Sequence, residues 1–254
     1  MRYLASRYRD RVDSAIQHHG MPAAVISYNA YAYNIAASEL AQSKYELPWV
    51  CIVADVPDSK PAQTRYNNAL SRAEGRIYLS WSRMQQSKLS PNLYLDGTSD
   101  GIKLDQSSAI NIQSGENQSS KKTVLFTGAM NKWAGVEYLV SAFSSLGRAD
   151  IRLQICGPGE PNAKTRQKIE SDSRIEFLGL VSEAQLREIS VAADVFVNPR
   201  PSRIPGNESN FPSKLLEYLT YGKPVISTIT PGISPEYRDV LIPVTDETDA
   251  GLAK

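Results

Sequence analysis

Short runs of apolar residues alternate with stretches of helical period along most of the chain. Residues 2–17 carry Leu4, Tyr8, Val12, Ala15 and Ile16 at helical spacing, with Arg2, Arg7, Arg9 and Arg11 around them, which predicts an amphipathic helix with a basic flank. Strands follow over 23–28, 49–54, 76–79 and 92–95, separated by helical patterns over 31–43, around Leu70 and over 81–87. A polar stretch, 101–122, interrupts this series with Gln106-Ser107-Ser108 and the run from Gln113 to Ser120. A second series then begins. Its strands are predicted over 123–127, 151–156, 175–178, 194–198 and 225–227, and its helices over 136–146, 161–170, 183–193 and between Pro212-Ser213 and Gly222. Strands that are apolar throughout and alternate with helices imply parallel sheets covered on both faces. The fold class is therefore α/β with two domains, 1–118 and 119–254, and the boundary lies near Ser119.

Composition narrows the classes of function. The 28 basic and 27 acidic residues leave a formal charge of +1, so no nucleic-acid partner is expected. Cys51 and Cys156 both lie in apolar runs and read as reduced core residues. His18 and His19 are the only histidines, which leaves no material for a histidine metal cluster or a triad. Without a membrane-length apolar run or a signal-peptide core, the expected location is cytoplasmic. The basic helix at the start suits either a solvated surface or peripheral contact with an anionic inner-membrane surface.

The densest chemical signal lies between Phe211 and Thr228. Pro212 and Ser213 open a helix there, Gly222 suits its left-handed end and Pro224 stops it. Leu215, Leu216 and Leu219 share one arc, and Ser213 and Glu217 the opposite one. The N-terminus of such a helix suits a phosphate. Glu217, ~6 Å further along the axis, is placed to accept hydrogen bonds from a ribose. The plain alternative is a surface glutamate on an ordinary crossover helix.

The second half resembles the nucleotide-binding domain of GT-B glycosyltransferases of the family 4-like kind. The match runs through Leu125-Phe126-Thr127-Gly128, Gly135-Val136-Glu137-Tyr138-Leu139, Ile155-Cys156-Gly157-Pro158-Gly159 and Phe177-Leu178-Gly179. It continues through Val197-Asn198-Pro199-Arg200, the helix just described, and Gly222-Lys223-Pro224-Val225-Ile226. The resemblance implies two Rossmann-like domains, the first incomplete and the second nearly complete. It also implies an enzyme that moves a sugar, with retention, from a nucleotide-sugar to a glycan or lipid-linked acceptor in bacterial surface polysaccharide synthesis. No metal or other cofactor is expected, because cations neutralise the leaving diphosphate.

Residue by residue, the resemblance places Glu217 on the ribose and the Ser213 and Lys214 N–H groups on the diphosphate. Gly128 would let the backbone approach the phosphates, and Leu180 and Val181 would border the base. Lys132 and Arg200 are the candidate catalytic cations; for each, the alternative is a surface cation in an ordinary salt bridge. Where the family has its first glutamate this chain has Ser209, with Glu208 beside it, so Ser209 and Asn210 stand nearest the donor sugar. Ala129 and Ala134 stand where the family usually has Arg and Lys.

Relative to the family pattern the chain looks cut at both ends, which keeps open a non-catalytic, nucleotide-binding remnant. A nucleotide-sugar 2-epimerase shares the fold and would need acid/base carboxylates, for which Asp55, Asp58 and Asp96 are the candidates.

Overall fold

A computed structural model describes residues 2–57, 59–99, 121–207 and 209–254. The chain divides into two units. Met1–Asp96 with Ser209–Phe211 and Pro231–Ser234 forms the first, and Gly97–Glu208 with Pro212–Thr230 and Pro235–Lys254 forms the second. The expected boundary at Ser119 lies outside the described residues.

The first unit holds α1 (Arg2–His19), β1 (Val25–Tyr28), α2 (Ala32–Tyr45), β2 (Trp49–Val53), α3 (Lys60–Leu70), β3 (Gly75–Tyr78), α4 (Trp81–Gln86) and β4 (Asn92–Tyr94). Its four strands are parallel, in the order β1-β2-β3-β4. Trp49, Cys51, Val53 and Tyr78 point to one side and pack with Tyr66, Ala69 and Leu70 of α3 in a buried core. On the other side Ile26 is 63%, Tyr28 57% and Leu93 56% exposed. Among the described residues, the expectation of a sheet covered on both faces therefore fails for this unit. The strand order explains it: when every right-handed crossover advances one place in the same direction, all connecting helices fall on one face.

The second unit is built differently. It comprises β5 (Lys122–Thr127), α5 (Val136–Ser145), β6 (Ile151–Cys156), α6 (Ala163–Ser171), β7 (Ile175–Gly179) and α7 (Glu183–Ala192), then β8 (Val195–Asn198), α8 (Lys214–Thr220) and β9 (Val225–Thr228). A 3-10 helix (Pro235–Asp239), β10 (Ile242–Val244) and α9 (Asp249–Leu252) follow. All six strands are parallel, in the order β10-β9-β8-β5-β6-β7. The direction of winding reverses between β5 and β8, which sends helices to both faces and opens a crevice beyond the carboxyl ends of these two strands.

Local sequence accounts for several boundaries. Ser182 and Gln185 form a reciprocal capping box that starts α7, and the Asn162 side chain accepts from the Thr165 N–H to start α6. Lys223 Nζ donates to the carbonyls of Ser190, Val191 and Ala193, so the lysine of Gly222-Lys223-Pro224 closes the end of α7. The face of α5 that carries Val136, Leu139, Val140 and Phe143 is buried. Among the described residues, no helix is long and apolar enough to cross a membrane.

Candidate functional site

At the switch point three loops meet backbone to backbone. Gly128, just past β5, donates its N–H to the Cys156 carbonyl at 2.8 Å, and the Met130 N–H reaches Pro158 O at 2.9 Å. Gly157 has φ 144°, and a Cβ there would lie 1.9 Å from the Gly128 oxygen. Gly135, which caps α5, would likewise place a Cβ 2.2 Å from Pro199 O, in the loop after β8. At Gly128 itself a Cβ would sit 2.6 Å from the tip of the Phe126 ring, so a side chain there would displace that ring whether or not a phosphate approaches.

Helix α8 stands over this junction and is held by Tyr218. Its hydroxyl lies 2.9 Å from the Thr127 N–H and 3.0 Å from Thr127 Oγ1, and its ring stacks on Phe196 at 4.6 Å. Burial pushes the phenol pKa up, with the Thr127 hydrogen bonds opposing. The expected arc of Leu215, Leu216 and Leu219 is thus corrected. Leu215 and Tyr218 are the buried pair, while Leu216 and Leu219 are half-buried. Tyr218 lies three residues beyond Leu215 on the same stripe, and its polar tip meets the end of β5. Tyr218→Phe should lower stability by about 1 kcal/mol, since the Thr127 N–H loses its buried acceptor. A thermal melt unchanged from native would show that this bond does not hold the helix.

The helix expected between Pro212-Ser213 and Gly222, of about two and a half turns, spans Lys214–Thr220 in the structure. The Leu215 and Leu216 N–H groups bond back to Pro212 O and Ser213 O at 2.9 and 3.1 Å, a tight first turn, and Ser213 makes no side-chain cap. Ser213 is exposed. With two of its first N–H groups already used, a seven-residue helix offers an anion less than expected, and the charge has to come from side chains.

Those side chains are Arg200 and Lys214. Arg200 follows β8 and is half-buried, and its Nη1 donates to Asn207 Oδ1 at 3.2 Å. Burial lowers its pKa. Lys214 is half-buried too; burial lowers its pKa most, Glu217 raises it and the Arg200 charge lowers it further. Among the described residues neither cation forms a salt bridge, although seven such bridges occur elsewhere in the chain. The surface-salt-bridge alternative for Arg200 finds no support there. Two cations held partly out of water, each raising the cost of the other, leave a place for an anion.

Glu217 is half-buried on the same helix as Lys214 and makes no salt bridge among the described residues. Lys132 is exposed on the loop after β5, with Nζ 4.8 Å from the Trp133 ring centroid. Leu180 is 79% exposed and Val181 half-buried on the loop after β7. The structure therefore brings Gly128, Arg200, Lys214 and Glu217 to the end of the second unit's sheet at the switch point, and puts Lys132 on one of its loops. Leu180 and Val181 lie on a loop two strands away in the sheet. Ser209 and Asn210 group with the first unit, and Glu208 and Asp58 lie outside the described residues.

Sequence reasoning missed Asn207. It is 1% exposed and spans the site, accepting from Arg200 and donating through Nδ2 to Trp133 O and Pro201 O at 2.9 Å each. Nothing in its local spacing marks it. In the first unit, Asp55 accepts from Asn29 Nδ2 at 3.4 Å. A cavity of about 410 Å³ in that unit is lined by Val53, Asn67, Leu70, Lys88 and Leu89 among others. Among the described residues no three metal-binding side chains cluster.

A family model described as "Glycosyl transferases group 1" matches residues 121–253. Among solved structures, Anabaena Alr3699/HepE in complex with UDP and glucose superposes with a TM-score of 0.67 at 15% identity, covering 95% of this chain and 69% of that one. Sucrose-phosphate synthase from Thermosynechococcus elongatus gives 0.66 at 19% identity, covering 98% and 67%. A Listeria monocytogenes structure assigned as a UDP-N-acetylglucosamine 2-epimerase gives 0.56 at 12%, covering 98% and 68%. No curated protein sequence matches the chain. At these identities the likeness shows the fold: two Rossmann-like units of the GT-B kind.

Proposed function

Since the chain belongs to the glycosyl transferases group 1 family, we propose that its second unit binds a nucleotide-sugar and that Arg200 and Lys214 take the diphosphate. The observation that carries this reading is the pair itself, two half-buried cations that form no salt bridge among the described residues, at the switch point of a doubly wound sheet. The UDP bound by the HepE relative is in keeping with such a donor.

In this reading Glu217 holds the ribose, and Gly128 with the Ser213 and Lys214 N–H groups borders the diphosphate. Leu180 and Val181 border the base. As the glycosidic bond to the diphosphate breaks, negative charge grows on the leaving oxygens. Cations already fixed and partly desolvated stabilise that charge without reorganising. Arg200 and Lys214 do this in place of a metal, and Lys132 adds a third charge from the β5 loop. The sugar passes with retention to a glycan or lipid-linked acceptor in surface polysaccharide synthesis, at the cytoplasmic side of the inner membrane.

Calorimetric titration of uridine and guanosine diphosphates, with a separate assay of donor hydrolysis, tests this function. Glu217→Ala should weaken binding by about 1.5–3 kcal/mol, the usual loss for a hydrogen bond to a charged group, with the melting temperature unchanged. A variant that binds normally but unfolds early would make Glu217 structural. Binding without hydrolysis or transfer would point to the remnant. The epimerase reading, with its weaker structural likeness, would need a change at the sugar's C2 with no acceptor present.

A further inference from the structure

We propose that Trp133 is a carbohydrate platform, its indole stacking on the pyranose of a sugar held beside Arg200 and Lys214. The proposal rests on the nucleotide-sugar reading and adds to it the group that recognises the sugar ring. Trp133 is 48% exposed, whereas Trp49 is fully buried and Trp81 packs edge-on against Tyr94 at 5.3 Å. A large exposed aromatic ring is unremarkable on a loose loop, but this loop is fixed. The Trp133 carbonyl accepts from the buried Asn207 amide at 2.9 Å, the Ala134 N–H donates to Asn131 Oδ1 at 2.9 Å, and Gly135 abuts Pro199.

The same Asn207 side chain accepts from Arg200, so one buried amide ties the guanidinium to the backbone that carries the indole. That link joins the backbone beneath an exposed apolar ring to a cation that the reading assigns to phosphate. A hexopyranose attached to a diphosphate has this character: a charged end, and a ring with an apolar C–H face that suits an aromatic ring. Lys132 Nζ sits 4.8 Å from the indole centroid and adds positive charge to the same loop. The ring's occupant is an uncharged pyranose, either the sugar of the donor or that of the acceptor.

The test compares the full chain with Trp133→Ala and Trp133→Phe by calorimetry, using a nucleoside diphosphate, its hexose conjugate, and the diphosphate followed by a free oligosaccharide. Native chain and Trp133→Phe should bind either the conjugate or the oligosaccharide more tightly than Trp133→Ala does, by about three- to tenfold, with diphosphate affinity alike in all three. A loss confined to the conjugate assigns the donor sugar, and a loss confined to the oligosaccharide assigns the acceptor. Equal affinities of Trp133→Ala and native chain for every sugar would overturn the proposal while leaving the nucleotide reading intact. A parallel loss of diphosphate binding would overturn it as well, making Trp133 a structural support of the loop. If the native chain binds no nucleoside diphosphate, the underlying reading falls and the platform with it.

Discussion

Alanine at both Arg200 and Lys214 is expected to abolish measurable nucleoside diphosphate binding, and either change alone to weaken it about 10- to 150-fold. That range corresponds to one charge-assisted hydrogen bond of about 1.5–3 kcal/mol. The two losses should not add, because each cation raises the cost of the other in the free protein. Arg200→Ala should also slow sugar transfer at saturating donor, since its charge is needed most as the diphosphate leaves.

The pH dependence separates Lys214 from an ordinary surface lysine. Its pKa in the folded chain lies below the usual lysine value, with burial as the largest cause. Affinity for the diphosphate should therefore fall as the pH rises through that lowered value, and Lys214→Arg should remove this decline because a guanidinium stays charged. Stability of the ligand-free chain should move the other way. In the window between the lowered folded pKa and about 10.4, the unfolded lysine binds more protons than the folded one, so stability rises with pH. Calorimetry and urea melts at a series of pH values would show the two opposite trends. Parallel trends, or none, would mean that Lys214 is not desolvated at this site.

Gly157→Ala is expected to destabilise the second unit by about 3 kcal/mol or more, and to lower its melting temperature by roughly 10 °C. Two costs combine. The backbone angle φ of 144° disfavours any side chain, and the new Cβ would lie 1.9 Å from the Gly128 oxygen, a contact no rotamer can relieve. Gly179→Ala is the control: it has φ 64° with nothing within 4 Å of the added carbon, so only the conformational cost of about 1 kcal/mol remains. Equal melting shifts for the two variants would show that the loops after β5 and β6 are not in contact.

Much of the fold was legible from local signals. The strands were apolar runs, and Gly222 does close α8 with φ 62°. Glu217 and Arg200 stood out in motifs that held their order along the chain. Tyr218 did not, because its partner Thr127 is 91 positions away. Lys132 stood out as a candidate cation, yet the more informative feature of its loop is the neighbouring indole. The isolation of Arg200 and Lys214 was equally invisible, since a salt bridge is a fact about the surroundings and not about the residue.

What the amino-acid sequence determined alone is the alternation of strands and helices and most of their ends, because periodicity, capping and glycine conformation act within a few residues. Strand order was decided only in the tertiary structure. Among the described residues it leaves Ile26, Tyr28 and Leu93 exposed on one face of the first sheet, reverses the winding between β5 and β8, and gathers Gly128, Arg200, Lys214 and Glu217 around that reversal. Parallel strands are joined through long crossovers that carry no local record of which neighbour each strand will pair with. The choice rests on packing between residues far apart in the chain, such as Tyr218 on Phe196 and Gly157 on Gly128.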